Sequence, residues 1–153
     1  YADLRGFSYD RTDVTSRGLA NAYAQTLGTV FSEAQKPYEV EIIVAEVGDD
    51  RYEDHRSNSL YRIKYDGFIS DHKGFCVIGG KVDEVEAVLK NDYRPDMPAG
   101  DAARLGRRAL NAGAERSSEL GASSLEVCLL DRSRPGRKFC RLSTEEVQGM
   151  LDS

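Results

Sequence analysis

Hydrophobic positions along this chain change period several times, and each change marks an element. Leu19, Tyr23, Leu27, Val30 and Phe31 recur at helical spacing and predict a helix with one apolar face. Thr12 or Asp13 is the expected N-cap, because either side chain can accept from an otherwise unpaired backbone N–H. Gly28 weakens the interior of that helix slightly. Lys36 and Pro37 close the connection that follows, since the residue before proline disfavours helical geometry.

From Val40 to Val47 the period falls to two. Val40, Ile42 and Val44 point one way and Ile43, Ala45 and Val47 the other, so the spacing predicts a strand between two layers. A charged loop from Gly48 to Ser59 is the natural place for mobility and sequence variation. Leu60 to Tyr65 alternates again, with Tyr61, Ile63 and Tyr65 on one face. Asp66 and Gly67 signal a turn, and Phe75 to Ile78 is expected as a buried strand ending at Gly79 and Gly80. These three strands suggest an antiparallel meander.

Two helices are expected next. Val82, Val85, Val88 and Leu89 form the apolar face of the first, which stops before Pro95. Ala99 to Ala112 makes the second, with Ala102, Leu105, Ala109 and Leu110 inward and small enough for close packing. A hairpin then joins a strand at Ser124 to Leu130 with its return at Lys138 to Leu142, through a polar turn from Asp131 to Gly136. Ser143, Thr144, Glu145 and Glu146 read as a capping box opening the last helix, stapled by Leu142 and Val147. Helix, three strands, two helices, two strands and a helix indicate an α+β layered fold in a single domain over residues 1–153, with no internal repeat.

Composition adds limits rather than chemistry. The chain has 153 residues, 40% hydrophobic and 31% charged, which is ordinary for a globular domain. Its net charge of -5 argues against sequence-independent nucleic-acid binding. Arg132, Arg134, Arg137, Lys138 and Arg141 form a basic cluster, a solvated turn in the plainer reading or a contact for an acidic partner. No run approaches the roughly 18 apolar residues of a membrane span, and no signal-peptide pattern is visible. Cys76, Cys128 and Cys140 are odd in number and widely spaced, which favours a reducing compartment over a disulfide framework. Each falls in a strand-like run and is expected as a small buried hydrophobe. His55 and His72 lie in polar sequence and supply no zinc cluster.

The search for reactive groups yields a scaffold. Gly79 and Gly80 lack the spacing of a phosphate loop, and no Gly-x-Ser-x-Gly elbow occurs. Glu39, Glu41 and Glu46 flank a strand, while Asp83, Glu84 and Glu86 occupy an early helical turn and complement its dipole. No catalytic, metal-binding or cofactor-binding residue is assigned.

Order along the chain says more than any residue alone. Tyr23-Ala24-Gln25-Thr26 followed by Lys36-Pro37-Tyr38 resembles the Tyr-Thr-Gln helix and Arg-Pro-Phe loop of proteasome subunits. Leu60-Tyr61 with Asp66-Gly67, Ile78-Gly79-Gly80, and Leu125-Glu126-Val127 through Leu130-Asp131 are similar to further motifs of that family, in the same succession. Tyr9-Asp10-Arg11-x-Asp13-Val14-Thr15 resembles specifically the α-type subunits of actinobacteria. The resemblance covers the C-terminal half to two-thirds of such a subunit, and Tyr1 matches a position inside one of its long helices. The family's pore-gating segment, first helix and two β-hairpins match positions upstream of Tyr1, as does its activator-pocket lysine, so no residue is assigned to that pocket.

The resemblance implies an αββα sandwich of the N-terminal-nucleophile hydrolase type, present here only in part. With part of each sheet missing, edges that normally pair would be exposed, and this chain alone is not expected to close the sandwich. The resemblance further implies a non-catalytic cytoplasmic subunit of the 20S core. Seven such subunits form each outer gating ring, docking β-type subunits that carry the catalytic threonine and an ATPase or other ring-shaped activator. No cofactor, nucleic acid or membrane is implied. Tyr9, Asp10, Arg11, Lys36 and Pro37 match loops near the pore end and the subunit contacts, while as residues they also read as ordinary turn and helix-entry positions. A catalytic relative of the same fold and a truncated interaction module are the competing readings. The former needs an N-terminal Thr, Ser or Cys whose amine serves as base.

Overall fold

The computed structural model describes residues 1–10, 13–34, 36–48, 58–114 and 119–153. They fall into two compact units, Tyr1–Ile78 and Gly79–Ser153. The α+β class holds, and the expected succession of elements is present with one addition at each unit's start or loop: a short first helix and a 3-10 turn.

In the first unit, α1 (Ala2–Ser8) precedes the long α2 (Ser16–Glu33). The cap of α2 is Thr15, not Thr12 or Asp13. Its hydroxyl accepts from the Gly18 N–H at 3.1 Å, whereas Asp13 is held in a preceding turn by its own N–H to the Asp10 carbonyl. Thr12 lies outside the described residues. Pairing β1 (Ile42–Glu46), β2 (Ser59–Ile63) and β3 (Ile69–Asp71) gives an antiparallel sheet in the order β1-β2-β3.

The meander is as expected, but its third strand is not. Gly67, at φ +84°, donates its N–H to the Lys64 carbonyl, and Phe68 donates to the Asp66 carboxylate. That turn sets Ile63 opposite Ile69 and Tyr61 opposite Asp71, so Ile69–Asp71 takes the edge. Gly74, also at positive φ, then turns the chain away, and Phe75 to Ile78 joins no strand. Most of the expected charged loop, including His55, lies outside the described residues.

The core of this unit is Ala20, Leu27, Val44 and Ile63, with Leu19, Ala24, Ile42, Tyr61 and Ile69 packed around it. The inward face of α2 therefore combines the expected Leu19 and Leu27 with the small Ala20 and Ala24. Tyr23 and Phe31, expected inside, are exposed, and Phe31 instead meets Tyr65 edge-on with ring centroids 5.6 Å apart. β1 also departs from its expected two-sided burial. Val44 is buried beneath α2, while Ile43 and Ala45 on the other face are exposed. Beside them Arg62 makes a two-pronged bond to Glu41, 2.8 and 2.9 Å.

In the second unit, α3 (Val82–Asp92) packs on α4 (Ala99–Ala112), and α4 packs on α5 (Thr144–Asp152). Val85, Leu105 and Ala109 are buried, but Ala102 and Leu110 face solvent. A 3-10 turn at Ala122–Ser124 rests on α5 and leads to the hairpin of β4 (Cys128–Leu130) and β5 (Phe139–Arg141), shorter than expected. Ala122, Val147 and Leu151 form the core with Leu125, Val127 and Leu142. The capping box of α5 is present: Ser143 accepts from the Glu146 N–H and the Glu146 carboxylate accepts from the Ser143 N–H.

The cysteines are not the buried hydrophobes expected. Cys128 is exposed, Cys76 and Cys140 are half-buried, and none of the three is disulfide-bonded. Cys128 lies opposite Arg141 and Cys140 opposite Leu129. Adjacent strand positions alternate in direction, so the two hairpin thiols project to opposite faces.

Candidate subunit-contact surface

The four described candidate contact residues, Tyr9, Asp10, Lys36 and Pro37, fall at the two ends of α2. Tyr9 caps the C-terminus of α1, donating its N–H to the Arg5 carbonyl. Its ring is exposed and lies beneath the Arg5 guanidinium, 5.9 Å from ring centre to Cζ. The same Arg5 donates from Nε to the Asp13 carbonyl at 3.1 Å. One arginine thus ties the end of α1 to the entry of α2, with Tyr9 and Asp10 exposed between them. Arg11 lies outside the described residues.

Lys36 and Pro37 follow the other end of α2, where the Ala34 N–H reaches the Val30 carbonyl and closes the helix. Lys36 is exposed and Pro37 half-buried, with Tyr38 exposed beyond them. An 18-residue helix is about 27 Å long. The Tyr9–Asp10 patch and the Lys36–Pro37 patch are therefore separate surfaces.

β1 returns along α2, and its last residue closes onto the helix start. The Glu46 carboxylate accepts from Ser16 N at 3.0 Å and Ser16 Oγ at 2.7 Å. Ser16 is buried. An early helical N–H has no partner within the helix, and an anion there is favoured by the dipole. This link, invisible in the spacing of the sequence, positions the Tyr9 patch relative to the sheet.

Chemistry remains sparse. A shallow depression of about 470 Å³ is lined by Ala2, Asp3, Gly6, Phe7 and Val14, with Asp3 its one ionisable lining residue among those described. Ser70 Oγ lies 2.9 Å from His72 Nε2, a contact that i,i+2 spacing on a strand makes easy and that sequence reading did not single out. A hydroxyl–imidazole contact is one part of a nucleophilic site, which also needs a group orienting the imidazole and donors for an oxyanion. No such set accompanies Ser70 and His72 among the described residues. Nor is there a metal-holding cluster among the described residues, or a helix long and apolar enough to cross a membrane.

Two carboxylates have clear shifts. The Ser133 hydroxyl, then the Ser133 backbone N–H, hold Asp131 below its ordinary range. Glu145 is lowered by its own backbone N–H and then by the Ser143 hydroxyl. Both sit at turns and helix entries, where they order backbone rather than exchange protons with a substrate.

Residues 1–130 match the family model described as Proteasome subunit. The chain is 47% identical over 152 residues to "Proteasome subunit alpha" of Saccharopolyspora erythraea, covering 99% of this chain and 58% of that protein. It is 48% identical over 151 residues to the protein of the same name from Thermobifida fusca, covering 99% and 59%. The Thermomonospora curvata protein of that name is also 48% identical over 151 residues, covering 99% and 64%. The chain thus spans about three-fifths of the length of these relatives.

Proposed function

This chain belongs to the proteasome subunit family, on its α side, and we propose that it serves as a non-catalytic structural subunit of a cytoplasmic 20S core. In this reading seven copies form an outer ring that gates entry to the proteolytic chamber. One face of the ring docks β-type subunits carrying the catalytic threonine, and the other receives a ring-shaped ATPase or related activator. The work of the chain is regulated protein degradation through assembly, not bond cleavage.

The observation that carries the reading is identity of 47–48% running over 99% of the chain to proteins named as α subunits. The two ends of α2 supply two candidate surfaces. We assign Tyr9, Asp10 and Arg11 to one subunit contact and Lys36 and Pro37 to another.

Co-expression with an actinobacterial β subunit and native mass spectrometry tests this. Incorporation into a four-ring particle is expected, with a threonine-directed covalent probe labelling the β chain alone. Labelling of this chain, or its exclusion from every particle, would overturn the assignment. Tyr9→Ala and Lys36→Glu should each lower the yield of assembled particle while leaving the melting temperature of the chain unchanged. Undiminished assembly by both would remove these residues from the contacts.

A further inference from the structure

The second unit is charged unequally along its length. Its β4–β5 hairpin carries Arg132, Arg134, Arg137, Lys138 and Arg141 against one carboxylate of its own, Asp131, with Arg141 paired to Glu126 just before the hairpin at 3.0 Å, in a chain that holds 21 cations and 26 carboxylates overall. The hairpin is fastened by its own groups. Lys138 turns its ammonium inward to the carbonyls of Arg132 at 2.5 Å and Arg134 at 2.8 Å. Asp131 accepts from the Ser133 N–H and hydroxyl. Arg134 reaches the Phe139 carbonyl at 3.4 Å, and Arg137 stands 5.4 Å over the Phe139 ring. A loop already ordered in this way loses little further freedom when its guanidinium groups meet a partner.

Opposite charge is offered by another element of the same unit. α3 packs on α4, α4 on α5, and α5 on the 3-10 turn that leads into the hairpin. The first turn of α3 presents Asp83 and Glu84, both exposed. A cationic hairpin and an anionic helix start on one unit are complementary between copies. Contact between two different patches is heterologous, and it repeats head to tail into a ring or a filament.

We propose that the β4–β5 hairpin of one copy of this chain docks on the first turn of α3 of the next, with Arg134 and Arg137 facing Asp83 and Glu84. This rests on the reading of the chain as a ring component and names a contact between neighbours. Both patches lie outside the α2 ends assigned above.

Sedimentation velocity of the chain, as wild type and as charge variants, tests the contact. R134E/R137E and D83K/E84K should each weaken self-association about tenfold, since each exposed pair shifts an equilibrium roughly two- to fivefold and reversal turns attraction into repulsion. The combined four-residue swap, which restores opposite charges, should recover most of the loss. The wild type should also associate about fivefold more weakly when salt is raised from about 50 to about 500 mM, a readout that needs no variant to fold. Circular dichroism checks that each variant is folded. Association indifferent to both reversals and to salt would overturn this contact while leaving the ring assignment standing. Failure of the combined swap to recover what both reversals lost would remove α3 as the hairpin's partner. A wild-type chain that never associates, alone or with β subunits, would overturn both.

Discussion

Gly67 and Gly28 meet where the β2–β3 turn crosses α2, and the contact is not symmetric. A Cβ on Gly67 would lie 2.6 Å from the Ala24 carbonyl oxygen and 3.1 Å from the Gly28 Cα, in a backbone at φ +84°. A Cβ on Gly28 would find the Asp66 carbonyl oxygen at 3.6 Å and the Gly67 Cα at 4.0 Å, ordinary contact distances. Only the turn glycine is compelled by geometry.

Gly67→Ala should therefore destabilise the chain by roughly 2 kcal/mol or more, combining backbone strain with displacement of α2. Gly28→Ala should be neutral or stabilise by up to about 1 kcal/mol, because helix propensity improves where space exists. Urea unfolding of the two variants separates these effects. Equal losses would mean that the helix and turn approach more closely than these distances state.

Ser16 and Glu46 offer a second test of how α2 is anchored. Glu46→Gln keeps the shape and an acceptor but removes the charge facing the helix start, and should cost about 1 kcal/mol. Ser16→Ala should cost a similar amount, because Glu46 keeps the Ser16 backbone N–H but loses the hydroxyl. A double-mutant cycle should give a coupling of about 1 kcal/mol. Additive losses would show that the two groups act independently despite their 2.7 Å separation.

What the sequence revealed was governed by how local each cause is. α4 spans the expected Ala99–Ala112 because Pro98 precedes it and Gly113 follows, both local signals. The box at Ser143 and Glu146 was equally legible, being completed within four residues. On the inward face of α2, Leu19 and Leu27 were legible, whereas Ala20 and Ala24 were not, because they carry little hydrophobicity although their size lets the sheet approach. Phe75 to Ile78 was more apolar than Ile69–Asp71, but the turn at Gly67 chose the strand. The two contact patches illustrate the same limit, since residues 9 and 36 are separated by a helix whose length, not whose composition, keeps them apart. The link from Ser16 to Glu46 spans 30 positions and follows from the fold alone.

Asp131 makes the hairpin sensitive to acid in a defined direction. Its carboxyl is held below the ordinary 3.8 by the Ser133 hydroxyl first and the Ser133 N–H second. A lowered folded-state pKa means the carboxylate form is favoured by folding. Its contribution is therefore complete above the unfolded value and is lost as pH falls through the folded one. NMR titration of the Asp131 carboxyl should give a midpoint below 3.8 in the wild type. In Ser133→Ala the midpoint should rise toward that value, with the backbone N–H retaining part of the shift. An unchanged midpoint would assign the effect to the Ser133 N–H and the neighbouring Arg134 and Lys138 charges instead.

Arg104 joins two helices of the second unit through a carbonyl rather than a side chain. Its Nη1 donates to the Met150 carbonyl of α5 at 2.6 Å, while Nη2 bonds Asp101 one turn earlier on α4. The carbonyls of the last turn of a helix lack internal partners and carry its negative dipole end. A guanidinium there both satisfies the carbonyl and fixes the crossing of α4 and α5. Arg104→Ala should cost about 1–2 kcal/mol and raise hydrogen exchange at the C-terminal turn of α5. Arg104→Lys keeps the charge but not the fork that serves both partners, so it should recover only part of that loss. Full recovery by lysine would show that charge alone, rather than the shared geometry of Met150 and Asp101, holds the two helices together.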